Sequence, residues 1–219
     1  MIALNRPDIA PLVVGLQAGR PRDLFLGGRM VRTAIAKFPV PGPVAIGLDG
    51  LEGDHQVNRR HHGGVERALC AYPSAHLAAW GRHWGVALGP GSFGENLTIS
   101  GLDEDSVHIG DRFRFGSALV EVSQPREPGD TLAGRLGHDD LLELIRSNGW
   151  TGWYLRVVEP GVAFAGLPFV LERTDPARIS VSEAYRVRLD TRGRRSEVRR
   201  LLGVAALSSG WRISLERRL

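Results

Sequence analysis

Short stretches of alternating apolar and polar side chains run through residues 11–125, and glycine and proline interrupt them. This alternation predicts strands with one buried face, because successive side chains of a strand point to opposite faces of its sheet. The Gly110-Asp111 and Gly116-Ser117 pairs are suited to tight turns between strands. Many short strands at this spacing predict a closed or nearly closed β-barrel. The predicted strands cover residues 12–15, 30–36, 44–47, 67–72, 96–99, 112–115 and 118–123.

Helical patterns are few in the first 175 residues. A helix is predicted over residues 74–84, with Ser74 as a candidate N-cap. A second is predicted over residues 141–147, where Asp139 or Asp140 can cap the start and an Asn-Gly pair can end it. Strand patterns then return over residues 153–158 and 169–172.

The pattern becomes helical after residue 175. Ser180-Val181-Ser182-Glu183 is a capping box, in which the serine and the glutamate each satisfy the other's free amide at a helix start. Further helices are predicted over residues 196–202 and 207–218. About forty residues are too few for a robust core of their own, so these helices should pack on one another, and packing on the barrel stays open. We therefore predict a mixed, β-rich α+β fold: a β-barrel-like domain over residues 1–175 and a three-helix domain over residues 176–219.

The composition indicates an ordinary soluble protein. Of the 219 residues, 42% are hydrophobic and 24% are charged, and no apolar run approaches the length of a membrane span. The first residues lack the basic-then-apolar order of a secretory signal. Because Cys70 is the single cysteine, no internal disulfide can form, and a reducing compartment is expected. We predict a cytoplasmic protein with no membrane partner.

Positive charge is concentrated at the C-terminus. Residues 178–219 hold eleven arginines and four acidic residues, a net charge of +7, whereas the whole chain carries +4. Such asymmetry is found in nucleic-acid-binding proteins, but no recognition motif accompanies it here. Solvated helix faces are also commonly charged, and arginine replaces lysine everywhere except at Lys37, as a coding bias would produce. We do not expect nucleic acid to be a partner.

A loop rich in Gly, Asp and His occupies residues 47–67, between two predicted strands. Loops on rigid scaffolds commonly carry function, and paired glycines such as Gly63 and Gly64 let backbone amides approach an anion closely. The same glycines also make ordinary turns, and the histidines can simply be solvated.

Two later segments carry polar residues suited to ligand binding. Residues 91–97 read Gly-Ser-Phe-Gly-Glu-Asn-Leu, and residues 123–129 read Ser-Gln-Pro-Arg-Glu-Pro-Gly. The Asn96 amide can read a heterocycle edge, since it offers a donor and an acceptor together. The planar Arg126 guanidinium is suited to phosphate. Each segment alone is equally compatible with a turn or a rigid sheet edge.

The order of these segments resembles that of the MOSC family, the domain named after the C-terminal part of molybdenum cofactor sulfurases. The resemblance runs from about Gly15 to Glu172, and residues 178–219 look like the three-helix domain that follows MOSC in certain bacterial members. The segments that carry it are Asp-Gly-Leu-Glu-Gly-Asp (49–54), His-Gly-Gly-x-x-Arg-Ala (62–68), Gly-x-Phe-Gly-Glu-Asn-Leu (91–97), Ile-Gly-Asp-Arg (109–112) and Ser-Gln-Pro-Arg-x-Pro (123–128).

The resemblance implies a molybdenum cofactor and an oxidoreductase independent of pyridoxal phosphate. Similar proteins reduce N-hydroxylated compounds by oxygen-atom transfer, and the two-domain bacterial subgroup is associated with N-hydroxylated bases such as 6-hydroxylaminopurine. A redox partner would supply two electrons, and the oligomeric state is left open, with a homodimer as one option. Carried over by motif, the cofactor-binding residues are Asp54, His62, Gly63, Gly64, Arg67, Glu95, Asn96, Ser123, Arg126 and Gly129, with Arg126 and Asp130 as catalytic candidates.

The chain departs from the family pattern at Gly129, where most members have the cysteine that ligates molybdenum. Glycine cannot coordinate a metal, and a soft thiolate suits this one well. The cofactor could bind through pterin and phosphate contacts alone, or Asp130 or Cys70 could substitute as the ligand. Alternatively, the redox role is lost, and the protein binds a pterin or another small ligand. Asn58 also stands where many relatives have aspartate.

A metal-dependent hydrolase is a separate hypothesis. Asp54, His55, His61 and His62 are the side-chain types that bind zinc. Adjacent histidines on one loop rarely both face one ion, however, and no glutamate is evident as a base. Zinc retention without a pterin would favour this reading.

Overall fold

The computed structural model describes residues 10–57, 63–190 and 195–219. Within these ranges the chain forms thirteen strands, six helices and a single turn of 3-10 helix at Val65–Arg67. The strands are β1 (Leu12–Ala18), β2 (Arg22–Leu26), β3 (Arg29–Thr33), β4 (Phe38–Pro39), β5 (Val44–Gly47), β6 (Gly50–Leu51), β7 (Leu69–Pro73), β8 (Leu97–Ser100), β9 (Arg112–Phe115), β10 (Ala118–Pro125), β11 (Trp153–Glu159), β12 (Gly161–Ala163) and β13 (Phe169–Arg173). The helices are α1 (Ser74–Trp84), α2 (Asp130–Leu136), α3 (Leu141–Asn148), α4 (Val181–Leu189), α5 (Arg195–Leu202) and α6 (Ser209–Glu216).

Eight strands form the main sheet, in the order β13-β9-β10-β11-β7-β8-β1-β4. Its described neighbours pair antiparallel except β7 and β8, which are parallel and are connected through α1. Backbone hydrogen bonds also join β1 to the segment at β13: Val13 N donates to Leu167 O at 3.1 Å, and Phe169 N donates to Pro11 O at 2.8 Å. The sheet is therefore curled into a barrel-like layer, which confirms the predicted β-rich α+β fold class.

The barrel interior and the C-terminal helices share one apolar core. Phe113 and Phe169 stack inside the barrel, with ring centroids 4.4 Å apart. Leu201 of α5 and Trp211 and Leu215 of α6 belong to the same cluster of buried side chains. The helices thus pack on the barrel as well as on one another, because they bury their apolar faces against it. None of the described helices is long and apolar enough to cross a bilayer.

The helix starts only partly follow the predicted capping residues. Ser180 does cap α4, since its side-chain oxygen accepts from Glu183 N at 3.1 Å. The prediction for Ser74 is wrong, whereas Asp140 does occupy the predicted N-cap position. Pro73 occupies the N-cap position of α1, so that Ser74 is already helical, and Asp140 caps α3 by position without a side-chain bond.

A separate hairpin of β2 and β3 was not fully predicted. It pairs Phe25 with Met30, and these side chains are 70% and 64% exposed. Exposed apolar residues do not produce the alternation of a half-buried strand, so β2 was missed. The strand predicted over residues 30–36 ends at Thr33.

Helix α2 and the turn before β7 are further corrections. Helix α2 follows Gly129 and contains Gly134, two residues that argue against a helix. Gly134 is needed for packing, since a Cβ there would lie 2.9 Å from Gly27 N in the hairpin turn. Arg67 was predicted to begin a strand but ends the 3-10 turn, and β7 begins at Leu69.

Candidate functional site

A cavity of about 320 Å³ opens beside the barrel, between the β2–β3 hairpin, the loop after β6 and the start of α2. Its size falls at the lower end of the range for small-molecule and cofactor sites. Its floor includes Cys70 of β7, Tyr154 of β11 and Arg126, the residue after β10. The predicted site residues that line it are Asp54, Arg67, Cys70, Asn96, Arg126, Gly129 and Asp130.

Arg126 lies at the floor of this cavity, directly after β10. Its side chain is buried, with only 7% of the residue exposed. Its backbone is fixed by a hydrogen bond from its N–H to Gly152 O at 3.0 Å. Its Nη1 has no hydrogen-bond partner among the described residues. A buried guanidinium nitrogen without a partner is costly, so it indicates a place for an anionic ligand.

Tyr154 and Cys70 lie opposite each other on β11 and β7 and both line the cavity. Burial raises the pKa of Tyr154 to about 12, and the phenol therefore remains a hydrogen-bond donor at neutral pH. Burial also raises the pKa of the Cys70 thiol, an effect that the nearby Arg126 guanidinium partly offsets.

Asn96 and Asp54 form a hydrogen-bonded wall. Asn96 Nδ2 donates to Asp54 Oδ2 at 2.9 Å and to Gln17 O at 3.1 Å, and Asn96 Oδ1 accepts from Cys70 N at 3.1 Å. Asp54 Oδ1 also accepts from Lys37 Nζ at 2.5 Å in a buried ion pair. The Asn96 amide group, predicted to contact a pterin, is thus occupied in holding Asp54 and Cys70 in place.

The described lining of the cavity is cationic overall. Lys37 and Asp54 neutralise each other, which leaves four arginines against two acidic side chains. A cleft lined by one sign of charge concentrates ligands of the opposite sign. The four arginines are Arg29, Arg32, Arg67 and Arg126, and the two acidic residues are Glu127 and Asp130. Outside the lining, Arg32 also pairs with Asp23, and Glu127 pairs with Arg188.

The start of helix α6 helps to position Arg67. Its Nε donates to Gln124 Oε1 at 3.1 Å, and the same oxygen accepts from Ser208 Oγ at 2.7 Å. Ser208 is the N-cap of α6, and the next residue, Ser209, donates its backbone N–H to the Glu66 carboxylate at 3.0 Å. Sequence reasoning missed Glu66, Gln124 and Ser208 in this role, because no local pattern relates residues so far apart in the chain.

Glu95 does not line the cavity as the described residues define it. Its buried carboxylate accepts from Gly91 N at 2.6 Å, Phe93 N at 3.0 Å and Thr98 Oγ1 at 2.7 Å. Glu95 therefore folds its own loop and presents Asn96 to the site. The prediction that it contacts the cofactor is not supported by this geometry.

Ser123 and the diglycine also lie outside the described cavity lining. The Ser123 hydroxyl is fully buried, donates to Glu66 O at 2.5 Å and lies 3.1 Å from Tyr154 O, so it faces away from the cavity. Gly64 has a φ of 94° and begins the turn that carries Arg67, and Gly63 precedes it. His62, like His61 and Asn58, lies outside the described residues.

Gly129 and Asp130 form part of the cavity rim, and both are exposed. Gly129 adopts an extended backbone, with φ −136° and ψ −171°, just before α2 begins. A Cβ at this position would have no described atom within 4 Å. The rim therefore has space for a side chain where the family has its ligating cysteine.

No cluster of three or more His, Cys, Asp or Glu side chains that could hold a metal ion occurs in the described part of the chain. The His55 ring instead lies 3.3 Å from Gly53 O. The hydrolase hypothesis thus has no support from the residues that can be located.

The sequence profile of the MOSC domain matches residues 58–170, more than half of the chain. The chain is a member of the MOSC domain family. This MOSC protein is 37% identical over 202 residues to the uncharacterized protein YflK of Bacillus subtilis, covering 92% of this chain and 91% of that protein. A protein named "Reductase" from Gibberella moniliformis is 33% identical over 195 residues, which cover 82% of this chain and 33% of that longer protein.

Solved structures support the same assignment. The crystal structure of YiiM from Geobacillus stearothermophilus superposes on this MOSC protein with a TM-score of 0.82 at 34% identity. The match covers 95% of this chain and 99% of that one, so it includes the C-terminal helices. The protein therefore belongs with the bacterial MOSC proteins in which a helical segment follows the barrel.

Proposed function

We propose that this MOSC protein is an oxidoreductase that binds a pterin-based molybdenum cofactor and reduces N-hydroxylated small molecules. The observation that carries the proposal is Arg126, a buried guanidinium whose Nη1 lacks a described partner at the floor of a cationic cavity. Arginine forms paired, charge-assisted hydrogen bonds with phosphate, which is the anionic group of this cofactor.

The residues of the cavity fit the anionic pterin better than they fit the metal. Arg126 and Arg67 would hold the phosphate, and the protonated Tyr154 phenol would donate a hydrogen bond beside them. At the position that supplies the metal ligand in most of the family, Gly129 offers no side-chain atom. When bound, the cofactor supplies the two-electron chemistry, and the protein supplies binding, orientation and electrostatics.

The overall reaction would convert an N-hydroxyl group and two electrons and two protons into an amine and water. Asp130, which is exposed on the cavity rim, would relay protons between solvent and substrate. A redox partner would supply the electrons. The reductase from Gibberella moniliformis is consistent with this chemistry in name, although the present chain corresponds to a third of that protein.

A comparison of two arginine variants tests the proposal. The protein and its variants are expressed in cells that also make the cofactor. The amounts of molybdenum and oxidised pterin bound per chain are then measured. Arg126→Ala should bind the cofactor about tenfold to a hundredfold more weakly, since a hydrogen bond to a charged group contributes about 1.5–3 kcal/mol. Arg199→Ala, on an exposed face of α5, should bind it like the unchanged protein. Equal cofactor content in both variants, or none in the unchanged protein, would refute cofactor binding at this cavity.

A second candidate function is binding of a pterin without redox chemistry. The observation that favours it is the missing side chain at Gly129. Reduction of an N-hydroxylated base by the loaded protein, with a chemically reduced viologen as electron donor, distinguishes the two. A fully loaded protein that consumes no substrate would favour the binding function.

A further inference from the structure

Cys70 is the one cysteine of the chain, and it faces the candidate site. On β7, Leu69 and Ala71 point into the barrel core, so Cys70 points to the opposite face of the sheet. It lines the cavity and is 6% exposed, yet it belongs to neither of the two apolar clusters that the described residues form. Its sulfur is therefore placed against the ligand space.

The backbone of Cys70 is held on both sides by Asn96. Cys70 N donates to Asn96 Oδ1 at 3.1 Å, and Asn96 N donates to Cys70 O at 2.8 Å. Asn96 is itself fixed through Asp54 and Lys37. A ligating group must be held rigidly if its geometry is to suit a metal, and this network provides that support.

The unpartnered Nη1 of Arg126 is an independent sign that a ligand occupies this part of the cavity. Arg126 is itself more than nine-tenths buried and lies close enough to Cys70 for its charge to act on the thiol. A ligand that satisfied this guanidinium would place an anionic group in the same cavity that Cys70 lines. The Cys70 thiol and the Arg126 guanidinium thus line the same cavity.

We propose that Cys70 is the protein's sulfur ligand to the molybdenum, in place of the cysteine that is absent at Gly129. This inference rests on the proposed function. The other candidate, Asp130, lies exposed on the rim and offers a hard carboxylate, whereas a soft metal centre favours thiolate. On binding, the Sγ–H bond is replaced by a sulfur–metal bond, the proton leaves to water, and no electron is transferred.

X-ray absorption at the molybdenum edge tests this assignment directly, because it counts the sulfur neighbours of the metal independently of activity. The unchanged protein, loaded with the cofactor, should show one sulfur neighbour more than the pterin dithiolene supplies. Cys70→Ser should lose that neighbour while its pterin content stays the same. Cys70→Ser/Gly129→Cys should regain it, since the rim has space for the new side chain.

The outcomes separate this inference from the proposed function. Pterin and molybdenum bound with the same number of sulfurs in the unchanged protein and in Cys70→Ser would overturn the Cys70 assignment and leave the proposed function intact. An unchanged protein without pterin or molybdenum would overturn both. If Cys70→Ser retains neither group, regained loading in the double variant supports the assignment, and failure to regain it overturns it.

Alkylation of the unchanged protein, with and without its cofactor, gives a second readout. Because the chain has a single cysteine, the mass added by iodoacetamide reports on Cys70 alone. The thiol should react after the cofactor is removed and be protected when it is bound. Equal reaction in both states would contradict a sulfur–metal bond.

Discussion

Gly129 is a glycine whose backbone conformation does not require one. Its extended φ and ψ are available to any residue, and a Cβ would meet no described atom within 4 Å. Gly50 differs in both respects, since its φ is 120° and a Cβ there would lie 2.4 Å from Ala68 O. Neither the backbone conformation nor the packing at position 129 therefore explains why a ligating side chain is absent there.

This contrast predicts opposite effects of two glycine substitutions on stability. Gly129→Cys should change the free energy of unfolding by less than about 0.5 kcal/mol, as expected for an exposed position without strain. Gly50→Ala should lower it by more than about 1 kcal/mol, because it combines a strained φ with a backbone clash. Urea unfolding followed by circular dichroism measures both. A large loss of stability in Gly129→Cys would mean that the rim is closed to a side chain.

Among the elements, α6 links the C-terminal segment to the cavity. Its N-cap, Ser208, bonds the same Gln124 oxygen that fixes Arg67, and Glu66 accepts from the backbone N–H of Ser209. A carboxylate at a helix N-terminus also interacts favourably with the helix dipole. The helical segment thus contributes to the position of a cavity arginine as well as to the core.

Two matched helix caps test this link. Ser208→Ala and Ser180→Ala should each destabilise the protein by about 1 kcal/mol, since each removes an N-cap hydroxyl. Only Ser208→Ala should also weaken cofactor binding, by about twofold to tenfold. It removes the hydrogen bond from Ser208 to Gln124, and the Gln124 side chain that positions Arg67 is then held less firmly. Pterin retained per chain is the measurement. Equal retention in the two variants would show that the bond from α6 does not act on the site.

At the scale of the whole molecule, local sequence patterns predicted those strands and helices whose bounds depend on neighbouring residues alone. Strand β9 and helix α1 have the predicted bounds, because alternation and a following glycine specify them within a few residues. Most of the site residues that were predicted from the order of the motifs line one cavity. The order could not tell that Glu95 and Ser123 turn inwards, since this depends on packing partners that a motif does not specify. Contacts such as Gln124 with Ser208, 84 positions apart, are likewise beyond any local pattern.

The shared core predicts that barrel and helices unfold together. Leu215 of α6 is fully buried in the cluster that includes the barrel interior, whereas Ile213 on the same helix is 52% exposed. Differential scanning calorimetry should therefore show one transition whose calorimetric and van't Hoff enthalpies agree. Leu215→Ala, at a cost of about 2–5 kcal/mol, should lower the temperature of this single transition by roughly 5–15 °C, and Ile213→Ala should leave it nearly unchanged. If the segment after residue 175 were an independent domain, Leu215→Ala would instead split off an early, small transition and leave the main one in place.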